Sequence, residues 1–254
     1  MAGTHVRAGN ALLSRIPDTD CARLDPLLRP IRLVQGQVLS EAGDAMAHVW
    51  FPTSAIISLC AATSDGASIE VGTVGAEGMV GSSAVLGRRL TLHRSVVLFS
   101  GEALRLDVDE FRRRCQLSRE LNECVLSYLH ALLSQATQAV ACSRFHTAEQ
   151  RLARWLLETA DRARVRSFPL TQESMSLLLG MRRPWLTQTA QRLQDRALIR
   201  SQRGDIEIVN RTELERVACE CYAIVRQHFA TFLEECCPGG NGTTCRSLDP
   251  ARAR

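Results

Sequence analysis

Residues 182–192 carry side chains suited to reading the edges of base pairs. Arg183, Thr187, Gln188 and Gln191 recur at helical spacing, opposite an apolar stripe of Leu186, Ala190 and Leu193. An arginine fork grips guanine O6 and N7, and a glutamine amide pairs with adenine. Arg182 and Arg192 are placed for phosphates, with Trp185 at the helix edge. No Ser-His-Asp order, phosphate loop or His-Glu-x-x-His motif accompanies them. The chemistry indicated is therefore recognition, and an enzyme is not expected.

Such side chains need a rigid carrier. Thr171 is a suitable N-cap for a first helix that buries Met175, Leu178 and Leu179, with Leu177 at its edge. Gly180 stands where the chain must reverse, since glycine accepts positive φ. Pro184 suits the start of a second helix, predicted over 184–197. A short hairpin follows, with Arg203-Gly204-Asp205 at its tip and Arg203 at the nucleic-acid backbone. Helix, turn, helix and hairpin make a winged helix-turn-helix that places one helix in the major groove. Thr171, Arg182, Arg183, Trp185, Thr187, Gln188, Gln191, Arg192 and Arg203 are its candidate DNA contacts. The module is assigned to residues 147–235. It opens with a helix over 148–163 that turns Leu152, Trp155, Leu156 and Thr159 inward.

Upstream, residues 12–29 read as short helical turns. From Ile31 to Asp107 short β-branched segments alternate with turn signals such as Gln35-Gly36, Asp65-Gly66 and Ser100-Gly101. That texture predicts a jelly roll or β-roll over 12–108. Residues 109–146 contain no glycine or proline and predict one long helix. Its apolar stripe runs through Leu121, Val125, Leu129, Leu132 or Leu133, Ala136 and Val140. A homodimer seam is the favoured use of that stripe, because two-fold readers bind two half-sites; packing on its own roll is the alternative. The Gly-, Thr- and Arg-rich tail over 236–254 is expected to be disordered. The fold class is thus α+β, ordered as roll, long helix and winged helix.

All 31 basic residues are arginine, and their distribution is uneven. Residues 1–146 hold 14 arginines and 14 acids, whereas residues 147–211 hold 12 arginines against 7 acids, a net of +5. The positive excess coincides with the DNA reader, where phosphate attraction supplies sequence-independent affinity. No apolar run reaches membrane-spanning length, and the first residues lack an apolar signal core, so a cytoplasmic location is expected. The ten cysteines are read as reduced thiols without metal. Cys219 and Cys221 are expected on one helix, which would point their thiols about 200° apart and disfavour shared coordination.

Leu179-Gly180-Met181-Arg182-Arg183, followed by Leu186, Leu193 and Leu198-Ile199, resembles the reader of the bacterial Crp/Fnr transcription regulators. The resemblance extends over residues 12–235 in domain order. It implies a cyclic-nucleotide-binding-like roll, a dimerisation helix, and double-stranded DNA and RNA polymerase as partners. Where that family's base-reading helix carries Ser-Arg-Glu and a later arginine, this chain has Arg182, Arg183, Pro184 and Gln188. The resemblance places an effector pocket at Glu77, Gly78, Met79, Gly81, Arg94 and Ser95. Met79 stands where a ribose-binding glutamate is usual, so a cyclic nucleotide is a doubtful cofactor. Haem and metal are not expected; His48, His93 and His130 are haem candidates by type alone. A second reading stays open: a cyclic-nucleotide or redox sensor acting through protein contacts, with a degenerate reader.

Overall fold

A computed structural model of the chain describes residues 9–87, 89–202 and 204–235. Arg203 and the tail, with Cys236, Cys237 and Cys245, lie outside the described residues. A 3-10 turn at Leu13–Arg15 and helix α1 (Asp18–Leu24) precede the β-roll. Strands β1 (Arg29–Leu33), β3 (His48–Pro52) and β7 (Gly101–Asp107) form one antiparallel sheet with β7 central. Strands β2 (Val38–Ser40), β6 (Arg94–Phe99), β4 (Ile56–Ala62) and β5 (Ser68–Val74) form the second, in that order. Leu33 and Trp50 of the first sheet pack with Ile57, Leu59 and Val97 of the second. Alternating apolar faces thus close into one roll.

The run expected as one helix over 109–146 is two. Helix α2 (Val108–Leu117) ends at Ser118, whose backbone is extended (φ −124°, ψ 115°). Its hydroxyl then caps the amide of Leu121 and opens α3 (Arg119–Phe145). The break follows from side-chain competition: the Ser118 hydroxyl also donates to Asp20 of α1 at 2.5 Å. The apolar stripe is corrected too. Leu121 and Val125 are fully buried in their own core with Phe111 and Tyr128, so they cannot meet a second chain. The apolar side chains that α3 leaves exposed are Leu126, Leu133 and Val140, with Phe145 at its end. Leu129 and Ala136, half-buried, lie between them.

One glycine decides how α3 meets the roll. A Cβ at Gly78 would stand 2.3 Å from the Tyr128 ring, so only glycine admits the contact. The Tyr128 hydroxyl donates to the carbonyl of Met79 at 3.0 Å.

Thr147 and Gln150 form a capping box that starts α4 (Ala148–Ala163). Leu152, Trp155, Leu156 and Thr159 are buried, as their spacing predicts. The reader follows: β8 (Ser167–Pro169), α5 (Gln172–Leu179), α6 (Arg183–Asp195), then β9 (Ile199–Gln202) and β10 (Asp205–Ile208), with β10 between β8 and β9. Helices α7 (Arg211–Val217) and α8 (Cys221–Glu235) complete the described chain. Phe229 and Phe232 of α8 fold back on Tyr128 of α3. Cys219 is not helical; it lies in the turn between α7 and α8, and Cys221 opens α8. The expected 200° divergence of these thiols therefore does not apply.

Reader and roll share a core, in which Ile56, Leu98 and Phe99 join Trp155, Phe168 and Met175. A polar seam runs beside it. Buried Glu70 on β5 accepts from Ser58, Thr73 and the Trp155 indole at 2.5, 2.7 and 2.7 Å. Arg162 of α4 bridges Glu77 of the roll at 3.1 Å and Glu158, and its guanidinium lies 5.2 Å over the Phe229 ring.

Burial holds the Glu70 carboxyl above its ordinary 4.5 despite three donors, and nearby Glu158 adds to the rise. A carboxyl raised on folding adds stability below its unfolded pKa, and that stability is lost as pH climbs through the folded value. In Glu70→Gln this dependence disappears. The stability of the native protein relative to this variant should therefore fall as pH rises above the ordinary carboxylate range, measured as urea midpoints. Parallel pH profiles would show that Glu70 does not change its proton occupancy on unfolding.

Candidate nucleic-acid interface and effector cavity

Thr171 caps α5 by accepting from the Ser174 amide at 3.1 Å. Gly180 ends it in the left-handed region (φ 58°, ψ 38°). The Ser176 hydroxyl donates to the Met181 carbonyl and closes the turn. Helix α6 then starts at Arg183, with Pro184 in its first turn, where a missing N–H costs nothing. It ends at Asp195, two residues short of the expected boundary. Leu186, Thr189, Ala190 and Leu193 face the core.

The opposite side of α6 is open. Arg183, Trp185, Thr187, Gln188, Gln191 and Arg192 are exposed, as are Arg182 and Thr171 beside them. At 100° per residue the centre of that face is Pro184, Gln188 and Gln191, with Arg183 and Trp185 on its margins. Trp185 is 67% exposed. Thr187 is tied down, since its hydroxyl donates to Gln172 or to the Arg183 carbonyl. Gln191 donates to Asp195 at 2.8 Å. Arg182, Arg183 and Arg192 make no ion pair among the described residues, whereas Arg196 pairs with Glu149 and Arg200 with Glu207. Three uncommitted guanidinium groups around one open helix face suit phosphate and base contact.

The expected effector residues scatter. Glu77 does not face a pocket: it accepts from the Gly75 amide at 3.0 Å and from Arg162. Gly78 lies under Tyr128. Arg94 stands exposed at the end of β6, 3.4 Å from Glu41. Only Met79, Gly81 and Ser95 line the cavity of the roll, together with apolar Trp50, Leu129 and Leu132. Its volume is about 70 Å³. Ligand pockets are typically about 300–1,000 Å³. Among the described residues no arginine or carboxylate lines it, so a cyclic phosphate would lack a cationic partner and a ribose a carboxylate, although Ser40, Ser82, Ser83, Thr91, Ser95 and His93 supply polar groups. The residues present do not fit a cyclic nucleotide.

The histidines proposed by type do not converge on the cavity. His48 packs against Trp50, and His130 meets His228 of α8 at 5.9 Å between rings. His93 does line the cavity, and burial lowers its pKa.

Comparison with known proteins agrees with this architecture. The sequence model of the cyclic nucleotide-binding domain matches residues 30–118, and that of the Crp-like helix-turn-helix domain matches residues 150–217. Among curated proteins none matches the sequence. Among solved structures the chain is similar to FixK2 from Bradyrhizobium japonicum, at 13% identity and TM-score 0.66, covering 76% of this chain and 98% of that one. It is also similar to the c-di-GMP responsive global regulator CLP from Xanthomonas campestris, at 14% identity and TM-score 0.63, covering 76% and 99%. A CRP-family transcriptional regulator from Thermus thermophilus, TTHB099, aligns at 16% identity and TM-score 0.64, over 74% and 96%. At these identities the likeness is one of fold. No described helix is long and apolar enough to cross a membrane.

Isothermal titration of the purified protein with cyclic AMP is expected to give no saturable heat at millimolar nucleotide. Saturable binding there would mean that the cavity opens beyond the volume its walls now leave.

Proposed function

Since this chain belongs to the Crp/Fnr family of DNA-binding transcription regulators, we propose that it reads a pseudo-palindromic site as a homodimer, without a cyclic nucleotide. The observation that carries the reading is the open face of α6 flanked by Arg182, Arg183 and Arg192. Gln188 and Gln191 at its centre match adenine-reading chemistry, and Arg183 matches guanine. Arg182, Arg192 and the Thr171 end of α5 supply backbone contacts, and Trp185 packs against sugar at the helix edge. With Gln188 one turn after Arg183, the half-site differs from that expected of a second arginine.

The dimer reading rests on α3. Leu126, Leu129, Leu133, Ala136 and Val140 alternate at spacings of 3 and 4, the pattern of a two-stranded seam. Three of the five are exposed: Leu126 by 42%, Leu133 by 65% and Val140 by 67%. Apolar side chains in such a row mark an interface. Pairing two α3 helices sets two copies of α6 about a two-fold axis, and each then meets a half-site one helical turn from the other. A regulator so placed works through RNA polymerase at the same promoter.

Arg183→Ala should weaken binding to the cognate site by about 1–3 kcal/mol, roughly 5- to 150-fold, and relax specificity at one base pair. Fluorescence anisotropy on native and base-substituted duplexes measures both, and full retained affinity would remove α6 from the reading role. Leu133→Glu should convert the dimer to a monomer in light scattering at micromolar chain. A dimer that survives this change must use a different surface.

A further inference from the structure

We propose that Cys142, His146, Cys219 and Cys221 form a four-coordinate site for Zn²⁺ that clamps the end of α3 to the turn before α8. The four ligand atoms all lie within 4.8 Å of one another. Cys142 Sγ is 3.6 Å from Cys219 Sγ, and Cys221 Sγ is 3.4 Å from His146 Nδ1. Tetrahedral zinc with Zn–S near 2.3 Å and Zn–N near 2.0 Å sets S···S at about 3.8 Å and S···N at about 3.5 Å. Two of the six ligand pairs therefore already stand at coordination spacing, and all six lie within 4.8 Å.

Two stretches of chain build the site. Cys142 lies in the last turn of α3, and His146 is the extended C-cap residue just past it (φ −107°, ψ 150°), its amide donating to the Cys142 carbonyl at 3.2 Å. Cys219 and Cys221 arrive from the α7–α8 turn. The three cysteines are buried and form a separate cluster outside the main cores.

The surroundings fit a metal better than free thiols. His146 Nε2 faces Glu220 Oε1 at 3.2 Å, which fixes the proton on Nε2 and leaves the Nδ1 lone pair for the metal. Gln138 Nε2 donates to Cys221 Sγ at 3.1 Å. Three thiolates around Zn²⁺ leave a net charge of −1 once three protons pass to solvent. Arg154, whose Nη1 pairs with Glu158 at 2.8 Å, is the buried cation on the neighbouring helix α4. Its Nε–H has no hydrogen-bond partner among the described residues. Softness of the S₃N set favours zinc over magnesium or calcium, and four protein ligands make the site structural rather than catalytic.

The test uses the full-length protein. Purified under reducing conditions and dialysed against chelator, it should retain about one zinc per chain by elemental analysis. Exchange for Co²⁺ should give the visible d–d bands of tetrahedral cobalt with sulfur-to-cobalt charge transfer. Cys221→Ser should cut retained zinc at least tenfold, and Glu220→Gln should weaken zinc binding about tenfold in chelator competition. The control Cys60→Ser should keep the full zinc content. Native protein without stoichiometric zinc, and without cobalt bands after exchange, would overturn the site even if the cysteine variants failed to fold. Recovery of a Cys142–Cys219 disulfide as the main native form would overturn it as well, in favour of a redox pair.

Discussion

The position of the DNA reader depends on the buried polar seam between the roll and α4. Glu70 receives the Trp155 indole, and Arg162 holds Glu77 against Glu158. Arg154 and Glu158, both nearly fully buried, pair at 2.8 Å along the same helix. Buried charges of this kind add little net stability, but removing one partner leaves the other uncompensated, at a cost of about 3–5 kcal/mol. The seam therefore acts as a register device. Helix α4 fits the roll in one orientation, and α5 and α6, which share its core, follow it.

That packing joins the roll to the reader by direct contact. Any change that displaces the loop at Gly75–Met79 acts on two contacts together: Glu77 with Arg162, and Gly78 with the Tyr128 ring. One leads to α4 and the reader, the other to α3 and its exposed seam. The small apolar cavity lies directly behind Met79, and Leu129 and Leu132 of α3 form its far wall. Repacking of the cavity walls therefore bears directly on α3. Differential affinity of a ligand for two such packings is what makes a switch.

Much of the architecture was legible in the residue pattern. The Thr171 cap, Gly180 at the turn, Pro184 at the start of α6, and the spacing of Leu186, Ala190 and Leu193 are local signals. Each acts within a turn or two of helix, so sequence distance equals spatial distance. The roll was legible as texture, through short β-branched runs between glycine turns. Other features were not. An apolar stripe on α3 was visible, but a stripe cannot say which neighbour covers it. The roll took Leu121 and Val125, leaving Leu126 and Leu133 outward. The break at Ser118 needed Asp20, nearly a hundred residues earlier.

By itself the sequence determined the reader, the order of roll, helix and winged helix, and the chemistry of the α6 face. These follow from backbone propensity, capping and helical period, which are properties of neighbouring residues. Only the tertiary structure decided the roles of Glu77, which became a strut for Arg162, and of Arg94, which stands away from the cavity. It alone brought Cys142 and Cys219, seventy-seven positions apart, to 3.6 Å. Partners for a buried charge or a ligand set come from whichever elements pack together, and packing joins segments that sequence spacing keeps far apart.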